Sequence, residues 1–268
     1  TEIATLIRDP YAIYARHVLR LAPLAPLRAA PDARMRGTVI HRVLEAYARG
    51  AMPGEDRAAA LARLQATAAA VLAEAVPWPA ARALWQARLD RAAPFLVQLD
   101  AAAGGVPVVL ERGGAVTLDP PGFVLTARPD RIDLLPDGRV HVIDYKTGKP
   151  PTEPQQQHFD KQLVLTAAMV ERGGFATLGR RDVARVTYVG LGSPPVAQGL
   201  AVTPDMTAEA CAGMARLIAA YLRPGQGYPS RRSVAGVRHA GAYDHLARLG
   251  EWQMTDPTRP EDVPGDGS

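Results

Sequence analysis

The chain has 268 residues, 47% hydrophobic and 22% charged, with a formal net charge of +4 and a pI near 9.4. That length can bury a substantial core in one large unit or two small ones, and no apolar run approaches the roughly 18 residues of a membrane span. A single cysteine, Cys211, excludes an internal disulfide framework, a four-cysteine zinc site and a four-cysteine iron–sulfur cluster, while the basic balance permits a nucleic-acid partner without requiring one.

Thr1–Leu6 lacks the basic start of a signal peptide, and the sequence reads as a domain excised from a longer cytoplasmic protein. The first expected element is a helix over Glu2–Leu21, with Leu6, Ile13 and Val18 as its core face and Pro10 starting a second segment. Pro23, Pro26 and Pro31 force a loop. A helix over Arg36–Tyr47 then carries Val39, Val43 and Tyr47 on one stripe. His41 sits one turn after Gly37, where backbone or ligand can approach the imidazole closely. A lone helical histidine is more often a surface or core residue than a ligand, so its neighbours decide. After Met52-Pro-Gly54, two Ala- and Leu-rich packing helices follow, about Glu55–Val76 and Ala80–Ala103, ended by Gly104-Gly105.

From Val106 the period changes to strands: Val106–Glu111, Ala115–Leu118, Phe123–Arg128, Arg131–Leu135 and Val140–Lys146. A helix over Glu153–Arg172, carrying His158, Lys161 and Gln162, leads to a strand over Val183–Leu191 and gives a β-α-β unit. A helix over Met206–Leu222 follows, then a tail with Arg231-Arg232 and an amphipathic stretch from Tyr243. Residues 1–255 are expected to form a single unit: a helical part over about 1–105, a sheet core over about 106–191, and C-terminal helices and tail over about 203–255. Residues 256–268 read as a frayed end.

The chemistry concentrates in Arg128-Pro-Asp130-Arg-Ile-Asp133 and His141-Val-Ile-Asp144-Tyr-Lys146-Thr-Gly148, two strands joined by the turn Pro136-Asp137-Gly138. Asp144 and Lys146 are two apart, so on a strand they leave the same face, and Asp130 arrives from the neighbouring strand. Carboxylates at a strand end suit Mg²⁺, which takes oxygen ligands and keeps several waters. The residues therefore read as a site for phosphodiester hydrolysis. Asp130 and Asp144 hold the metal, the Tyr145 carbonyl is a further ligand, and His41 is another brought in from its helix. Lys146 either orients and deprotonates the attacking water or stabilises developing charge. Glu111, at a strand end, is equally an edge charge or a site residue. Arg128, Arg131, Lys149 and Lys161 are the basic residues placed to meet phosphates, and Tyr145 reads as packing more than as a base-stacking platform.

A single Asp-x-Lys is common by chance. The ordered set Gly37-x-x-x-His41, Ala127-Arg-Pro-Asp130-Arg-Ile-Asp133, Val142-Ile-Asp144-Tyr-Lys146-Thr-Gly148 and Gln162 is not, and it resembles the RecB-type branch of the PD-(D/E)XK nucleases. It is most similar to the C-terminal nuclease domains of AddB subunits of bacterial AddAB helicase–nucleases, a likeness that extends to Tyr243-Asp-His-Leu-Ala-Arg and Glu251-Trp252. The resemblance implies an α/β restriction-endonuclease-like core, a central mixed sheet flanked by helices, with an added N-terminal helical region. It implies His41, Asp130 and Asp144 as metal-site residues binding Mg²⁺ or Mn²⁺, and Lys146 as the catalytic lysine. It also implies single-stranded DNA fed by an AddA-type helicase–nuclease subunit in a bacterial cytoplasm.

Two departures stand out. Gln162 matches the glutamine of the family's Q-x-x-x-Y motif, but the tyrosine position is Thr166. Many members clasp the domain with a four-cysteine iron–sulfur cluster whose first ligand precedes a proline. Here that place is Asp9-Pro10 and no such cluster is expected, so packing through Tyr11, Tyr14 and Tyr228 is expected to replace it. A catalytically silent DNA-binding or scaffold domain is the alternative, although the principal residues are all present. A small-molecule metal phosphohydrolase would leave the Asp-Tyr-Lys-Thr-Gly loop and the tail unexplained.

Overall fold

The computed structural model describes residues 2–24, 28, 30–152, 155–156, 161–230, 241–253 and 255–257. Its strands are β1 (Val106–Leu110), β2 (Gly114–Leu118), β3 (Phe123–Ala127), β4 (Arg131–Leu134), β5 (Val140–Lys146), β6 (Val183–Gly190) and β7 (Val196–Ala201). Five of them form a mixed sheet in the order β1-β4-β5-β6-β7. The β5–β6 pair is parallel and the other three pairs are antiparallel. Strands β2 and β3 pair only with each other, as a separate hairpin.

Apolar β-formers on both faces make β5 the central strand, buried on either side as the parallel neighbour requires. Ile143 and Tyr145 face the helices α3 (Ala33–Arg49), α4 (Arg57–Ala75) and α5 (Pro79–Ala103), packing with Val43, Leu64, Trp85 and Leu96. Val140 and Val142 face the opposite layer, with α6 (Gln162–Glu171), α7 (Pro204–Tyr221) and the β2–β3 hairpin. Both sheet faces are thus covered, with Asp133, His141 and Thr187 as buried polar residues among the apolar ones. Local signals place the helices: the Asp32 and Asp56 side chains cap α3 and α4 by accepting from Met35 N and Ala59 N. Pro79 opens α5, and Gly104, at φ +63°, closes it in the left-handed conformation that suits glycine.

Several expectations need correction. The N-terminal helix is three short pieces, α1 (Glu2–Arg8), α2 (Pro10–Ile13) and a π-helical turn over Tyr14–Val18. Leu6 is buried, but Val18 is 58% exposed because the widened turn carries it off the core face. β7 has no counterpart among the expected strands: Val196-Ala-Gln-Gly-Leu-Ala lacks a strong strand pattern and is ordered by pairing with β6. Of the expected helix over Glu153–Arg172, Gln155, Gln156 and Gln162–Glu171 are helical and Lys161 is not, and His158 lies outside the described residues, as do Arg231 and Arg232. The stretch from Tyr243 is a run of turns. The expected aromatic packing is present: Tyr14 and Tyr228 ring centroids are 5.5 Å apart, Tyr221 and Tyr228 5.0 Å, and Tyr11 N donates to Pro229 O. Tyr243 Oη donates to Leu21 O at 2.7 Å.

Candidate active site

Asp130 sits in a bend just before β4, at the sheet end where α3 passes. It is held from three sides. Its Oδ1 lies 3.0 Å from His41 Nδ1, its Oδ2 accepts from Tyr145 N at 2.6 Å, and its carbonyl accepts from Glu111 N at 3.2 Å. Glu111 follows β1 with φ +48°, a left-handed conformation unusual for a side-chain-bearing residue. Arg128 grips it there, with Nε 2.8 Å from the Glu111 carbonyl and 2.9 Å from Oε2. His41, Glu111 and Asp130 offer ligand atoms all within 4.8 Å of one another. Gly37 adds no obstruction one turn above, since a Cβ there would meet open space.

Asp144 and Lys146 leave the same face of β5, as their spacing predicts, with Lys146 Nζ 2.7 Å from Asp144 Oδ2. Gln162, opening α6, donates from Nε2 to Asp144 Oδ1 at 2.9 Å. Asp144 Oδ2 is buried against the Lys146 ammonium. Thr166, in the place of the family tyrosine, turns its hydroxyl back to Gln162 O. Asp144 therefore belongs to the α6 side of the site and stands outside the His41–Glu111–Asp130 group. Spacing alone puts Asp144 among the direct ligands and leaves Glu111 undecided; the geometry brings Glu111 into the closest cluster.

Burial dominates the electrostatics of the site. Burial, opposed by Lys146 and reinforced by Asp130, pushes the Asp144 carboxyl up to about 6. Burial and the Asp130 charge also raise Glu111, against Arg128 and His41. Burial disfavours the His41 cation, but the hydrogen bond to Asp130 and the charges of Asp130, Asp144 and Glu111 outweigh it and raise its pKa. A mutually close His–Glu–Asp group beside a further buried carboxylate fits a hard divalent cation. His41, Glu111 and Asp130 are the residues placed to hold it, with Asp144 and the Tyr145 carbonyl on the adjoining strand.

The remaining expected residues divide. Arg128 and Lys149 are exposed and Lys161 is half-buried just before Gln162. Arg131 is a correction: it is 4% exposed and cannot meet a phosphate. Its Nε and Nη2 fork onto Asp133 at 2.6 and 2.7 Å, and its Nη1 reaches Asp100 at 2.9 Å and Tyr145 Oη at 3.4 Å. The Tyr145 ring is buried on this side and does not stack on a base. Sequence reasoning misses Asp100. The signal is there, since an aspartate in the last turn of a helix opposes the helix dipole unless a cation holds it.

Fold and site together define an α/β protein with a candidate divalent-metal centre at one end of a mixed sheet and a lysine beside its carboxylates. The family model described as the PD-(D/E)XK nuclease superfamily matches residues 1–233, and the chain belongs to that superfamily. Among curated proteins it is 27% identical over 182 residues to an uncharacterized protein of Rickettsia bellii, covering 65% of this chain and 22% of that one. It is 26% identical over 203 residues to an uncharacterized protein of Rickettsia felis, covering 72% and 23%. The chain thus spans about a fifth to a quarter of these relatives. A solved structure of a candidate exonuclease from Eubacterium rectale is similar at 11% identity with a TM-score of 0.48, covering 94% of this chain and 84% of the other.

Proposed function

We propose that residues 1–255 form one nuclease unit that hydrolyses phosphodiester bonds of DNA, mainly single-stranded, with Mg²⁺ or Mn²⁺. The finer reading follows the motif resemblance to AddB-type domains: a bacterial cytoplasmic setting, a strand delivered by an AddA-type helicase–nuclease partner, and the processing of double-strand breaks. No helix among the described residues is long and apolar enough to cross a membrane.

The observation that carries the reading is the convergence at one sheet end of Asp130 with His41 and Glu111, and of Asp144 with Lys146 and Gln162. The bound cation would supply charge neutralisation on the phosphate and acidify water. The chain's own residues do the rest. Asp144 holds the Lys146 ammonium beside the developing charge, Gln162 fixes the Asp144 carboxylate, and Arg128, Lys149 and Lys161 offer positive charge to the strand backbone.

The test is cleavage of labelled single- and double-stranded DNA with Mg²⁺, Mn²⁺ or EDTA. Single-strand cleavage that EDTA stops and that Lys146→Ala and Asp144→Ala abolish is expected. Activity that survives EDTA or either substitution in a folded protein overturns the reading. Binding without cutting by the wild type would point to a scaffold role.

A further inference from the structure

We infer that Arg131, clamped by Asp133 and Asp100, is a positioning residue of the metal site: it fixes Asp130 and the Tyr145 peptide in register from the sheet face that packs on α3 and α5. The inference rests on the reading of Asp130 as a metal ligand.

Asp130 lies outside the strand ladder, so the pairing of β4 with β5 begins only at the next residue, Arg131 opposite Ile143. Whatever holds Arg131 therefore sets where Asp130 can stand, one peptide bond away. Arg131 is tied to three elements at once. The fork onto Asp133 stays within β4, Nη1 reaches Asp100 near the end of α5, and the same nitrogen approaches the Tyr145 hydroxyl on β5. Tyr145 closes the loop, because its ring belongs to this network while its N–H holds Asp130 Oδ2. Two routes thus run from the guanidinium to one carboxylate, along the β4 backbone and through the Tyr145 residue.

Stability alone does not account for such a cluster. Taking ions out of water offsets much of their attraction, and well-packed apolar residues of similar volume often do as well or better. A planar fork with a third fixed contact supplies geometry, which an apolar cluster does not. The packing is close as well. Asp133 is fully buried, and a Cβ on Gly105 would come within 2.7 Å of Asp133 Cβ, so only glycine lets the α5–β1 connection pass. Arg131 and Tyr145 also border the same small hollow as His41, Glu111 and Asp130. Groups that orient metal ligands in this way are commonly worth about 10–100-fold in metal affinity.

The experiment is Mn²⁺ binding measured by calorimetry on the DNA-free chain, alongside thermal melting. Arg131→Lys keeps the charge and removes the fork, and Asp100→Asn removes the charge from one arm at a partly exposed residue, so a folded variant is available even if the first fails. Each is expected to weaken Mn²⁺ binding about 10–100-fold, with Asp130→Asn abolishing it. Arg63→Lys disturbs a comparable half-buried pair with Glu55 in the helical layer and is expected to leave Mn²⁺ affinity unchanged at a similar loss of melting temperature. Wild-type affinity in both Arg131→Lys and Asp100→Asn, with binding lost in Asp130→Asn, overturns the positioning role and leaves the metal site standing. Wild-type affinity in Asp130→Asn overturns the metal reading and this inference with it.

Discussion

Asp130 and Arg131 are neighbours in sequence, yet they belong to two charged clusters of opposite character. Around Arg131 the bonding is closed: both Asp133 oxygens are occupied, and Asp100 and Tyr145 meet the remaining arm. Around Asp130 it is open. Glu111 and Asp144 are pushed towards their neutral forms and His41 towards its cation. The first cluster is complete without help. The second crowds Glu111, Asp130 and Asp144 around Arg128, His41 and Lys146 and still leaves two of these carboxyls raised, and that contrast separates a structural network from a reactive one more sharply than burial does.

The largest expected effect tests the open cluster. Asp144→Asn and Lys146→Ala should each lower DNA cleavage by at least about 10²-fold, a typical loss for one electrostatic group, in a gel assay at saturating Mn²⁺. Asp144→Asn should also stabilise the metal-free protein. The folded carboxyl, near 6, lies above its ordinary value of 3.8, so the folded state binds the proton more tightly and stability falls as pH rises between those values. Above pH 6 the neutral amide should therefore raise the melting temperature. A lower melting temperature would show that the two clusters do not differ as described.

The closed cluster should answer in the opposite sense. Arg131→Met, which strands a buried carboxylate, is expected to cost roughly 3–5 kcal/mol in denaturant unfolding. Replacing Arg131, Asp133 and Asp100 together by apolar residues should recover much of that loss. Next in size is a pH effect. Burial, with Arg185 and Arg131, depresses His141 from 6.5 to about 3. Below pH 6.5 only the unfolded state takes up that proton, so stability is full above 6.5 and lost as pH falls towards 3, at up to about 1.4 kcal/mol per unit. His141→Gln should flatten that part of the profile if the variant folds. Smallest is the remote control, Tyr228→Leu. It should cost about 1 kcal/mol from lost aromatic contacts and move neither Mn²⁺ affinity nor the pH profile.

Much of this is legible in the residues alone. Val140–Lys146 carries its own bounds, because β-branched residues run into a polar Asp-Tyr-Lys and the turn ahead of it is explicit. His41 meets Asp130, and Asp144 meets Lys146 and Gln162, at one end of the sheet. What the residues conceal is set by contacts distant in sequence or by backbone shape. Arg131 reads as a surface cation until Asp133, two places on and on the same strand face, is recognised as its partner. Glu111 reads equally as an edge charge or a site residue because nothing local announces a left-handed backbone gripped by Arg128. β7 has no pattern of its own and is defined by β6, and the β2–β3 hairpin stays apart from the sheet although its strand signals resemble those of β1 and β4.

The contacts between the early and late segments have a mechanical meaning. Tyr14 on Tyr228, Tyr11 N on Pro229 O and Tyr243 on Leu21 O stitch the two ends of the chain into one seam on the α7 side of the sheet. A pull applied to the two ends would load this seam first and shear it before tension reached β5. In an optical-tweezer experiment the domain should therefore yield in two events: a small extension as the seam parts, then the rupture of the sheet that carries the catalytic strand.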